Sequence, residues 1–152
     1  MSWIDENPNV QAALDQVNQM QNDAIRVGKY GAMVELAYLV AAANGDVKAD
    51  ERTKIKTKME GIIGSNFGRD HIGEMLESAA DKLAEHGVEA RYRYIAEALD
   101  NEAERESGFL VAAHCAWDGG VDVKEGLALQ AIAKVFGWEI NHMHKLLGKA
   151  KG

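Results

Sequence analysis

The feature that most constrains this chain is a stretch that occurs twice. Residues 36–51 read LAYLVAAANGDVKADE and residues 110–125 read LVAAHCAWDGGVDVKE. Aligned without a gap, they share Leu36/Leu110, Ala42/Ala116, Gly45/Gly119, Val47/Val121 and Glu51/Glu125. Each copy is an apolar run, then Asn or Asp followed by Gly, one residue, Val, three residues and Glu. The apolar positions beyond the turn also correspond, Ile55 with Leu129 and Ile62 with Phe136. Glycine accepts the left-handed backbone in which helices end, so each copy predicts a helix–turn–helix hairpin. Two hairpins of one design predict a pseudo-symmetric bundle in which they pack on each other.

The rest of the chain is consistent with that frame. Asn7 and Pro8 give a cap followed by a first-turn proline, and Val10, Leu14, Val17, Ala24 and Val27 then follow one face. The spacing predicts one N-terminal helix within 1–29, then helices over 29–43, 49–63 and 70–86, with breaks at Asn44-Gly45, at Gly64, Ser65 and Gly68, and at His86-Gly87. A short helix carries Tyr92, Ile95 and Leu99, and the next runs through Phe109 and Ala113 to Trp117. Asp122 with Glu125 three residues later reads as a capping box for a seventh helix. A last helix holds Ile140, Met143 and Leu147, and the tail LGKAKG is expected to fray. No stretch alternates as a half-buried strand would, and the chain has a single proline. The expectation is an all-α, single-domain bundle of about seven to eight helices spanning 1–152, with its core at about 30–147.

Several function classes fall away on composition. The net charge of −7 repels a nucleic-acid backbone and favours cations or basic surfaces. The longest apolar run, at 36–43, is far short of the roughly 20 residues a membrane span needs. The first residues, MSWIDENPN, have neither the basic nor the apolar region of a secretory signal. One cysteine, Cys115, admits no internal disulfide, and cytosol is the expected compartment, with a peripheral place at the inner membrane as the alternative. His142 and His144 are two apart and point to different sides of a helix, so they make no zinc pair. His114 reads as a hydrogen-bonded core or interface residue. Its neighbour Cys115 reads as a buried apolar one, because adjacent helical residues diverge by about 100°. The basic segment 52–58 reads as a solvated helix face and second as a docking patch. Residues 91–94, Arg-Tyr-Arg-Tyr, fan around a helix and form no stacking platform.

The turns themselves carry the chemistry. Asn44, Asp46, Asp50 and Glu51 crowd the first, and Asp118, Asp122 and Glu125 the second. Carboxylates gathered in a turn repel one another unless a cation offsets them, and a hard divalent ion, calcium or magnesium rather than zinc, suits oxygen ligands. The competing reading is helix capping, for which Asp and Glu are common at helix starts. An EF-hand is excluded, since the glycine directly follows the first Asx and the twelfth positions are Ile55 and Leu129.

A helix ending in small apolar residues, then D-G-x-hydrophobic-x-x-x-E into another helix, and repeated, resembles TerB and TerB-like proteins. The second copy, WDGGVDVKEGLALQAIAKVFGWE, carries most of the likeness, including Phe136-Gly137 before the last helix. The resemblance extends over about 30–147. It implies a helical fold of seven or eight helices and an acidic cluster regarded as a divalent-metal site. It also implies a role in tellurite resistance, stress response and phage defence, acting on other proteins of such a module rather than by catalysis. Asp118 and Glu125 match the motif's acids in the second turn and Glu51 matches in the first, while Asn44 replaces the usual Asp. Asp46, Asp50 and Asp122 are added by proximity. The alternative is a metal-free interaction scaffold whose acids only cap helices.

Overall fold

A computed structural model describes residues 2–67, 69–116 and 122–150, with the backbone alone for 64–67, 69 and 70. It is all-helical, with 84% of the chain in helix and no strand among the described residues. After a single 3-10 turn at Ile4–Glu6 come α1 (Pro8–Asn18), α2 (Asp23–Ala42), α3 (Ala49–Phe67), α4 (Arg69–His86), α5 (Val88–Ala98), α6 (Glu102–Ala116), α7 (Val123–Val135) and α8 (Ile140–Ala150). No helix among the described residues is long and apolar enough to cross a membrane.

The first helices of the two hairpins, α2 and α6, form the centre. From Lys29 to Ala41 every residue of α2 except Gly31 is buried, and α6 is buried without a break over Ser107–Ala113. A helix covered all round must be wrapped by others. Accordingly α2 packs on α1, α3, α4, α5, α6 and α7, and α6 on α1, α2, α3, α7 and α8. The repeat is visible in the core: Leu36 and Leu110 are buried, and so are Ile55 and Leu129. Val47 is half-buried against the same core, and its counterpart Val121 lies outside the described residues. Gly45, at φ 113°, supplies the left-handed residue that lets α2 turn into α3.

Three boundaries differ from the sequence reading. The expected single helix within 1–29 is two: α1 ends at Asn18, and Asn22 starts α2 by accepting the Ile25 amide on its side chain at 3.2 Å. Ala24 and Val27 therefore belong to α2, where both are exposed. The second difference is α3, which continues through Gly64 and Ser65 to Phe67. A glycine inside a helix costs only about 1 kcal/mol against alanine, which packing readily offsets.

The third is the tail, which does not fray before residue 150. Ala150 is buried, and the carbonyls of the last turn are held: Trp3 Nε1 donates to Lys149 O at 3.0 Å, and His114 Nδ1 to Ala150 O at 3.0 Å. Trp3 and His114 stack with centroids 4.2 Å apart. The chain's two ends and α6 meet at that stack.

Candidate functional site

The helices α3 and α7 begin next to each other because α2 and α6, which deliver the chain to them, pack together. Asn44 therefore meets Asp122, 78 residues away, with the Asn44 amide donating to Asp122 Oδ2. A cavity of about 330 Å³ opens between the turns, its polar lining Asn44, Glu51, Lys54, Asp122 and Glu125. Ile55 and Cys115 contribute to its apolar lining. Asp46 and Asp50 are exposed and are not part of that lining, and Asp118 lies outside the described residues.

Asp122 is the N-cap of α7. Its Oδ1 accepts the Glu125 amide at 2.8 Å, and Glu125 Oε1 accepts the Asp122 amide at 3.2 Å, completing the capping box. The Glu125 amide, with help from Asn44, holds the Asp122 carboxyl below the usual range. Glu125 is driven the other way. Partial burial pushes its pKa up, and the charges of Asp122 and Glu51 add to the shift. Its ionised form is thus less favoured than in a fully solvated glutamate, and a cation placed in the cavity would act in the opposite direction.

Other residues singled out by sequence find structural roles. Cys115 is fully buried, which pushes its thiol up to about 12 and leaves no thiolate for nucleophilic or redox chemistry at neutral pH. His114 is part-buried, and desolvation lowers its pKa. The basic segment is not simply solvated: Lys58 Nζ donates to His114 O at 3.2 Å, and the Arg52 guanidinium sits 5.7 Å from the centroid of Tyr38. Arg91 and Tyr92 are buried while Arg93 and Tyr94 are exposed, so residues 91–94 do fan apart.

The sequence reading missed two arrangements. The first is a pair of buried ion pairs. Arg91 Nε and Nη2 donate to the two oxygens of Glu35 at 2.6 and 2.8 Å, and Lys29 Nζ reaches Glu104 at 2.5 Å and Asp100 at 3.0 Å. The Lys29 ammonium is penalised by burial, yet its bonds to Glu104 and Asp100 carry its pKa above the ordinary value.

The second is a group on α6 and α8: Glu102, Glu106 and His142 offer ligand atoms within 4.8 Å of one another, the only such group among the described residues. His142 Nε2 lies 3.0 Å from Glu106 and 3.9 Å from Glu102, whose Oε1 also accepts from Trp138 Nε1 at 2.7 Å. The Glu-x-x-x-Glu spacing was the available signal, since residues four apart share a helix face. Its histidine lies 36 residues further on.

Comparison with family models, curated proteins and solved structures finds no match to this chain.

Proposed function

We propose that this protein is a TerB-like binding module whose two hairpin turns share a divalent cation, and that it acts by binding rather than by turnover. What supports the reading is the meeting of the two turns. Asn44 reaches Asp122, and Glu51 lies close enough to Glu125 for its charge to raise that carboxyl's pKa. Glu51, Asp122 and Glu125 provide oxygen donors, Asn44 adds an amide oxygen once its side chain turns, and a hard ion such as calcium or magnesium suits the set. The ion would tie the second helix of each hairpin to the other, a joint on which a partner protein of a stress-response or tellurite-resistance module could depend. Cytosol is the compartment in which we place it.

A second reading has its own support. Both oxygens of Asp122 already accept hydrogen bonds, from the Glu125 amide and from Asn44, which is what a purely structural cap would do. On that reading the protein is a metal-free scaffold.

Thermal unfolding of chelator-stripped protein titrated with calcium, magnesium, manganese and zinc separates the two. An ion that binds only the folded state stabilises it by about 2.7 kcal/mol at a hundredfold excess over its dissociation constant. The expected result is a saturable rise that Glu51→Gln/Glu125→Gln abolishes. No rise with any ion leaves the scaffold. A rise that survives the double variant but is lost in His142→Gln places the ion at Glu102, Glu106 and His142 instead.

A further inference from the structure

A second cavity, larger than the one between the turns, lies away from the turn acids. It is a groove of about 670 Å³ between the C-terminal ends of α2 and α4, the start of α5 and the outer face of α7. Its existence follows from small residues: Ala42 and Ala43 on one side face Ala128 and Ala131 on the other, and side chains this short leave the space between the helices unfilled. Its walls carry apolar groups left in water, with Val88 39%, Val135 41% and Leu127 58% exposed. That volume lies within the range of roughly 300–1,000 Å³ of small-molecule sites, which are apolar with a few placed polar groups.

The polar groups here are of one dominant sign. Arg93, Lys124 and Lys134 line the groove, and none of the three side chains has an ion-pair or hydrogen-bond partner among the described residues. Glu89 is the only acid of the lining. A groove net positive by two, on a chain of net charge −7, is a local reversal of sign.

We infer that this groove binds a single-chain fatty-acid anion, its hydrocarbon along the α7 wall and its carboxylate on the lysine at one end of that wall, Lys124 or Lys134. The apolar wall and the cations along it are both answered by one such ligand. Lys124 and Lys134 are ten positions apart on α7, about 15 Å along its axis, roughly the length of an extended chain of a dozen carbons. The site is independent of the cation reading, because none of its residues lines the cavity between the turns.

The test is isothermal titration of the full chain with laurate below its micellar concentration, in chelator so that no calcium soap forms. Dodecyltrimethylammonium, with the same tail and opposite charge, is run beside it. Laurate should bind saturably at one site and the cationic amphiphile at least tenfold more weakly. Leu127→Glu should abolish laurate binding; the residue is exposed and glutamate favours helix, so the variant folds. Lys124→Glu/Lys134→Glu should weaken it at least tenfold. No saturable laurate binding, equal binding of the two amphiphiles, or laurate binding unchanged in Leu127→Glu overturns the proposal. So does binding to phosphatidylglycerol vesicles without binding of free laurate, which would make the groove a membrane contact.

Discussion

Glu35 and Glu104 lie inside the bundle, each 4% exposed, and each has a cation drawn onto it from another helix, Arg91 onto the first and Lys29 onto the second. Glu51 and Glu125 lie half-buried at the joint of the hairpin turns, where the neighbouring charge that acts on Glu125 is that of more carboxylates. The first pair of acids is paired inside the bundle; the second shares a cavity with Asp122 and with Lys54. Buried carboxylates must be paired to exist at all, because the cost of an unpaired buried charge exceeds what packing can return. Half-buried ones still reach water and need no such partner, so a surface joint can gather acids that the core could not.

The comparison breaks most sharply at Arg91. Replacing it with methionine keeps a long apolar stem but leaves Glu35 buried without its two donors, and should cost about 3–5 kcal/mol in denaturant unfolding. Glu35→Leu/Arg91→Met removes both charges and should recover most of that loss. A cost near zero for Arg91→Met would mean that Glu35 escapes to water, and that the two sets of acids do not differ as described.

Smaller effects are expected at the joint. Asp122→Ala removes the acceptor of the Glu125 amide and should lower the midpoint in chelator. Glu125→Gln keeps an acceptor for the Asp122 amide while removing a charge that Asp122 and Glu51 oppose, so in chelator at pH 7 its midpoint should equal or exceed that of wild type. A clear loss in Glu125→Gln would mean that the carboxylate is already satisfied without a ligand, against the cation reading.

What sequence could show divides along the same line. The period of the apolar residues located α2 through α8, and the Asp122–Glu125 spacing gave a cap that the structure contains. Local patterns were enough because the determining contacts are three or four residues apart. The ion pairs were illegible: Lys29 and Glu104 are 75 positions apart, Glu35 and Arg91 56, and no local rule joins them. Burial of α2 on all sides is what forces Lys29 and Glu35 to find partners. The tail failed for the same reason, since its helix is held by Trp3 and His114 from elsewhere in the chain. At the candidate site, sequence named the acids and proposed that the hairpins pack together. It could not tell that Asp122 would face Asn44 while Asp46 and Asp50 stayed out of the cavity.

The smallest expected effects are pH slopes, and they have opposite signs at the two places. Burial lowers the His114 pKa from its ordinary 6.5, so the unfolded chain takes up the proton first. The stability tied to neutral His114 is therefore complete above pH 6.5 and drains away as the pH falls through the lower folded value. Glu125 is raised from 4.5, so its contribution is complete below pH 4.5 and is lost as the pH rises through the higher folded value. Chelator-stripped protein unfolded at intervals from pH 4.5 to 7.5 should show His114→Asn, which keeps a donor for Ala150 O, with a shallower loss below pH 6.5 than wild type. Glu125→Gln should gain on wild type as the pH rises from 4.5. If added calcium or magnesium at pH 7 closes the gap between Glu125→Gln and wild type, the charge that costs stability in the empty joint is the one the ion uses. If the gap is unchanged by either ion, the strain at Glu125 belongs to the cap alone.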